Sequence, residues 1–205
     1  VYKRQGVMAW ITCPQLLNKF AKESSLLEPS AAATISDLPV EIDDDKIIAG
    51  NANVLDSKVL LEEYVFNCQD ETPKVNGEEL NVWLADRIFD KNNEVFWNTF
   101  MKERIAVLSN GVFRDFVENF TSVTTRNKID NETGAAEDGA LFTIEYLPEE
   151  SVLYHLVTAS DEFSKVTGRK TADQIMKTYQ DNLSKIFQIG GNATIGKGIV
   201  KTIKL

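Results

Sequence analysis

The chain has 205 residues, 43% hydrophobic and 26% charged, a balance that can bury a core and excludes disordered, collagenous and rod-like chains. No run approaches 18 apolar residues, so no helix of it crosses a bilayer, and a cytoplasmic protein that touches no membrane is expected. Two cysteines and one histidine are too few for a disulfide framework or a four-ligand zinc site, and the net charge of −9 argues against a general nucleic-acid coat.

The first five residues, Val1 to Gln5, fit no element and open without methionine, which reads as a non-native junction. Gly6 to Thr12 is a short apolar strand or turn, and Pro14 opens a helix through Leu16, Leu17 and Phe20. Residues 24–57 keep no period for more than a turn and read as a loop or insertion, with Asp43-Asp44-Asp45 as a solvated charge run. Lys58 to Asn67 reads as a strand, in which Glu62 and Glu63 would face opposite sides and could not share an ion. Leu80, Trp83, Leu84, Ile88 and Phe89, then Val95, Phe96, Phe100 and Met101, have helical spacing, and Trp10, Trp83 and Trp97 are expected in the core.

Arg104 to Ser109 is a buried strand, and the spacing of Val112, Phe113, Phe116 and Val117 predicts the next helix. Residues 121–147 read as a hairpin with an acidic tip at Asp130, Glu132, Glu137 and Asp138. Ser151 to Thr158, with His155, is expected to be a strand, Ala172 to Ile186 an amphipathic helix, and Ile199 to Leu205 a closing strand. Strands and helices interleave around one protruding hairpin, which gives an α+β class and one domain over 6–205. Cys13 and Cys68 read as small buried hydrophobes, since no Cys–His–Asn set accompanies them.

Charge is unevenly spread. Residues 164–205 hold eight Lys and Arg against Asp173 and Asp181, a local +6 that leaves −15 on residues 1–163. Within that basic end, Gly191 to Lys197 satisfies G-x-x-x-x-G-K, but Gly198 stands where a nucleotide-binding loop needs Ser or Thr for magnesium. Beyond it, Ile199, Val200, Thr202 and Ile203 are β-branched and read as a strand, so no helix N-terminus exists to hold phosphates. The loop is better suited to a single phosphodiester: Gly190, Gly191, Gly196 and Gly198 allow close approach, Thr194 offers a hydroxyl and Lys197 a charge.

Four blocks together resemble the backbone subunit of type III-B CRISPR effectors in the RAMP superfamily. They are FQIGGNATIGKGIV (187–200), GVMAWITCP (6–14), KVLLEEYVF (58–66) and VTTRNKIDNETGAAEDGALFTIEYLPEESVLY (123–154). The resemblance implies a modified RRM-like (ferredoxin-like) palm carrying a β-hairpin thumb over 121–147. It implies guide crRNA and target RNA as partners, with neighbouring copies of the chain and other effector subunits alongside them. It also implies metal-dependent endoribonuclease cleavage of the target at regular intervals, with magnesium or manganese serving the full-length family and no metal or cofactor bound by this chain. Guide–target pairing reads sequence in such systems, so the protein need recognise only shape and phosphate. The residues' own chemistry agrees: the glycine loop (Gly190, Gly191, Thr194, Gly196, Lys197 and Gly198) suits a phosphate contact, Thr124, Thr125, Arg126 and Lys128 give hydroxyl and cationic donors to an RNA backbone, and the acidic tip is expected to reach a neighbouring subunit rather than phosphate. Nothing in residues 1–5 matches the family's aspartate-bearing first palm strand, so that strand and the catalytic carboxylate are expected to be missing, with Glu145 and Tyr146 as accessory groups. Asn110-Gly111 replaces an acidic pair common in the family. A purely structural filament subunit without nuclease activity is the alternative.

Overall fold

In the computed structural model the described residues are 8–27, 32–50, 56–130, 132–136, 139–164 and 168–204; the junction at residues 1–5 lies outside them. They sort into two compact units, Val1–Leu153 and Tyr154–Leu205, where the sequence predicts one domain.

The first unit opens with β1 (Trp10–Thr12) and α1 (Pro14–Ser24). Pro14 occupies the first helical turn, where its missing N–H costs nothing. The 24–57 stretch is not a plain loop: it contains β2 (Ile35–Ser36) and β3 (Lys46–Ala49). Lys58 to Asn67 is likewise two strands, β4 (Lys58–Leu61) and β5 (Tyr64–Gln69), turned at Glu62 with φ 50°. Both Glu62 and Glu63 are therefore exposed turn residues. A second tight hairpin, β6 (Lys74–Val75) and β7 (Glu78–Glu79), reverses through Asn76-Gly77 with φ 53° and 82°, the left-handed pair that two-residue turns require. Helices α2 (Leu80–Ile88) and α3 (Val95–Lys102) precede β8 (Ile105–Val107), α4 (Asn110–Asn119) and the hairpin β9 (Ser122–Arg126) and β10 (Phe142–Tyr146).

Five strands form one mixed sheet in the order β1-β8-β3-β5-β4, with β1 parallel to β8, β8 antiparallel to β3, β3 parallel to β5 and β5 antiparallel to β4. Both faces are buried, which is why the inner strands are apolar without alternation. Ile48 and Val107 point into a core with Leu17, Leu80 and Trp83, from α1 and α2. Their neighbours Ile47 and Ala106 point the other way, against Val59, Phe66 and, from α4, Val112 and Phe116.

The acidic run at Asp43-Asp44-Asp45 is exposed, as expected, and also makes local contacts. Asp43 pairs with Lys46 Nζ at 2.5 Å, Ser109 Oγ donates to Asp44 Oδ1 at 2.5 Å, and the Asp45 carbonyl accepts the Asn67 N–H at 2.8 Å. Ser109 Oγ in turn accepts the Val112 N–H at 3.0 Å and so caps α4.

Asp86 joins α2 to α3. Its side chain is only 7% exposed and receives Lys91 Nζ at 2.6 Å, Lys102 Nζ at 2.7 Å and Asn98 Nδ2 at 2.9 Å. Burial by itself pushes the carboxyl pKa up, but hydrogen bonds from Lys102, Lys91 and Asn98 outweigh it and hold the group far below the usual carboxylate range. A depressed folded-state pKa stabilises the fold above the unfolded value and loses that contribution as pH falls. Asp86→Asn is therefore expected to cost about 2 kcal/mol at pH 7 and to flatten the fall in melting temperature that wild type shows below about pH 4. Thermal melts of both proteins across that window check it.

In the second unit, α5 (Ala172–Asn182) starts at a capping box: the Gln174 N–H donates to Thr171 Oγ1 and the Thr171 N–H to Gln174 Oε1. It ends at Asn182, four residues short of the expected Ile186. That residue belongs instead to β11 (Ile186–Gln188), antiparallel to β12 (Ile199–Lys201). Ser151 to Thr158 forms no strand, and His155 is exposed within it.

Candidate nucleic-acid interface

The β9–β10 hairpin pairs Ser122 with Tyr146, Thr124 with Ile144 and Arg126 with Phe142, alternating with Val123–Glu145 and Thr125–Thr143. Because side chains alternate across a strand, Thr124, Arg126 and Tyr146 share one face. Thr125 and Glu145 share the other, which is exposed. Arg126 Nε is buried and makes no hydrogen bond, so part of the guanidinium is desolvated without an acceptor. On the opposite face Thr121 Oγ1 donates to Glu145 Oε2 at 3.3 Å. Lys128 is exposed beyond the end of β9. At the tip, Asp130 Oδ1 accepts the N–H groups of Thr133 and Glu132, both at 2.8 Å, and these bonds hold its carboxyl below the usual range. The tip residues Glu137 and Asp138 lie outside the described residues.

The glycine-rich loop is the far end of the β11–β12 hairpin. After Gly198 the chain enters β12 and not a helix, in keeping with the rejection of a nucleotide-binding loop. Gly190, Asn192, Gly196 and Gly198 all have φ between 64° and 77°. The Asn192 carbonyl accepts the N–H groups of Ile195 and Lys197 at 3.1 and 3.3 Å, which folds Ala193–Ile195 into one 3-10 turn. Gly190, Gly191, Thr194, Gly196 and Gly198 are exposed and Lys197 is half-buried. No side chain covers the glycines at 190, 191 and 196: a methyl group added to any of them would meet nothing within 4 Å. Gly198 is different, since its Cβ would lie 2.0 Å from the Ile189 carbonyl oxygen.

The candidate residues therefore form two sets. Thr124, Thr125, Arg126, Lys128, Glu145 and Tyr146 lie on the hairpin of the first unit, and Gly190, Gly191, Thr194, Gly196, Lys197 and Gly198 on the loop of the second. Sequence reasoning missed Gln188, whose side-chain amide reaches back over the loop to Gly190 O at 2.8 Å and Ile189 O at 3.1 Å. A glutamine in a strand carries no motif, so no sequence signal would have revealed it.

Other expectations need correction. Phe96 and Trp97 are not core: they are 66% and 38% exposed at the start of α3, stacked with Phe89 and Phe100. Trp83 is buried, and Trp10 is half-buried with its indole N–H on the Glu150 carbonyl at 2.9 Å. Cys13 is buried, which pushes its thiol pKa up, and Cys68 is half-buried. Among the described residues no three His, Cys, Asp or Glu side chains converge to hold a metal ion. None of their helices is long and apolar enough to cross a membrane.

A sequence model of the RAMP superfamily matches residues 15–201. The chain is 31% identical over 206 residues to the CRISPR system Cmr endoribonuclease Cmr4 of Pyrococcus furiosus, a match that takes in 96% of this chain and 62% of that relative. It thus spans less than two thirds of the relative's length. A crystal structure of Pyrococcus furiosus Cmr4 (Cas7) superposes with a TM-score of 0.54 at 28% identity, covering 97% of this chain and 67% of that one. Another Cmr4 crystal structure gives a TM-score of 0.57 at 26% identity, over 98% and 67%.

Proposed function

The chain belongs to the RAMP superfamily, and from that premise we propose that it is a guide-RNA-binding backbone subunit of a type III-B CRISPR effector. Its partners are then guide crRNA, the target RNA paired to it, neighbouring copies of the chain and other effector subunits, in a cytoplasmic complex. The full-length protein cuts target RNA at regular intervals in antiviral defence. The five-stranded sheet serves as a modified RRM-like palm and the β9–β10 hairpin as its thumb, supported by the match to the RAMP superfamily; the parallel β1–β8 and β3–β5 pairs and the helices on both faces are where it departs from an all-antiparallel ferredoxin-like sheet.

One observation carries the reading: the β11–β12 hairpin ends in an exposed, glycine-rich backbone with Lys197 beside it, in a chain 31% identical to a Cmr endoribonuclease. Such a surface suits a phosphodiester and is indifferent to base sequence. The uneven spread of charge explains how a protein of net charge −9 can still hold a polyanion, because residues 164–205 carry a local excess of cations. A structural role without cleavage is favoured for Glu145 and Tyr146 themselves. As successive strand residues they face opposite sides and do not converge on one phosphate.

Labelled single-stranded RNA titrated into the full chain tests this by fluorescence anisotropy. Lys197→Ala and Arg126→Ala are each expected to raise Kd about tenfold and to lower the slope of log affinity against log salt by about one. Affinity unchanged in both variants refutes the reading.

A further inference from the structure

The loop's donors are aimed by a residue outside the glycine motif. Gln188 is the last residue of β11, and its Nε2 sits 2.8 Å from Gly190 O and 3.1 Å from Ile189 O, with Lys197 O at 3.4 Å and Gly191 O at 3.5 Å. A side-chain amide nitrogen carries two protons, so the two short contacts are its hydrogen bonds and the longer pair are peripheral. All four acceptors are backbone carbonyls of the same loop.

Peptide planarity turns this into a statement about donors. In a trans peptide the C=O and the following N–H lie in one plane and point in opposite directions. None of the described peptides is cis. The Ile189 carbonyl shares its plane with the Gly190 N–H, and the Gly190 carbonyl with the Gly191 N–H. Turning both carbonyls toward Gln188 therefore turns both N–H groups away from it. Gly190 and Gly191 are exposed, with open space where their side chains would be. Two successive N–H groups presented this way make a concavity for an anionic oxygen.

We propose that Gln188 is a positioning residue that presents the N–H groups of Gly190 and Gly191 to a phosphodiester oxygen of bound RNA. This rests on the RNA-binding reading above, and it assigns to Gln188 a part that Lys197 does not play: Gln188 adds no charge and acts only through the backbone it holds. Its effect on affinity is therefore independent of salt, whereas the effect of Lys197 is not.

The test uses the full chain and two probes, inorganic phosphate and a labelled oligouridylate. With phosphate, the amide resonances of Gly190 and Gly191 are expected to shift in wild type and to stay in place in Gln188→Met, which keeps length but removes both protons. With the oligonucleotide, Gln188→Met is expected to weaken binding about tenfold, as losing one hydrogen bond to a charged group would, with the salt slope unchanged. Lys197→Ala lowers the slope. Gln188→Glu, which sets a carboxylate against those carbonyls, is expected to weaken binding more than Gln188→Met. If phosphate leaves the Gly190 and Gly191 amides unmoved in wild type, the proposal is overturned whether or not any variant folds. Wild-type affinity in Gln188→Met, with Lys197→Ala still weakened, overturns the role of Gln188 alone. Wild-type affinity in Lys197→Ala and Arg126→Ala defeats the RNA-binding reading beneath it.

Discussion

Replacing Gly198 by alanine is expected to weaken RNA binding at least about tenfold while leaving the melting of the five-stranded sheet unchanged. The residue has φ 74°, a conformation that costs an L-residue about 1 kcal/mol or more. The larger effect is steric: the new methyl carbon would lie 2.0 Å from the Ile189 carbonyl oxygen. That carbonyl accepts from Gln188, and the Ile189 N–H bonds to the Gly198 carbonyl at 2.8 Å, so relieving the clash opens the hairpin end on both strands. Gly190→Ala is the internal control. Its φ is 77°, but the methyl group would meet nothing within 4 Å, so in the chain without RNA it carries the conformational cost alone. Comparing the amide spectra of β11 and β12 in the two RNA-free variants separates crowding from backbone preference. Equal behaviour would show that the Gly198–Ile189 contact does not shape the loop.

Ile47→Ala is expected to destabilise the first unit by about 4 kcal/mol, toward the upper end for deleting a buried aliphatic side chain. Ile47 is 0% exposed and packs with Val59, Phe66 and Leu108 in the middle of the sheet. Neighbouring Val59 is also 0% exposed and Phe66 2%, so little can collapse into the space left behind. Urea denaturation followed through the tryptophans measures the change. A loss under about 1 kcal/mol would mean that β3 does not run through the core.

That substitution also probes what the amino-acid order conceals. Pro14 and the 3.6-residue spacing of apolar positions announce α1, α2, α3 and α4, and the Thr- and Val-rich alternation announces β9. Lys46–Ala49 announces nothing, coming directly after an acidic run. It becomes a central strand only through partners far along the chain, Asn67 to Gln69 on one side and Ala106 and Val107 on the other. Ser151 to Thr158 errs the other way. Its residues have strand-like propensity, but β structure needs a neighbour to accept its N–H groups, and the described strands do not pair with it. Phe96 and Trp97 show a third limit, since helical spacing says which face of α3 is apolar but not what covers it. The glycine loop was legible because backbone freedom is written in residue type. Gln188 was not, because its contribution arises only when the loop folds back upon it.

The central place of β8 has a consequence for how the chain is made. β8 is hydrogen-bonded to β1 on one side and β3 on the other, yet it emerges from the ribosome some 95 residues after Trp10, the partner of Ile105. Until Val107 has cleared the exit tunnel, β1 has no strand to join and β3 has one open edge. Nascent chains in that interval expose apolar backbone edges of the kind that invite aggregation. Holdase chaperones should therefore bind ribosome-stalled chains whose Ile105–Val107 segment is still inside the exit tunnel more than chains long enough for Asn119 to have left it, where α4 closes over the second face.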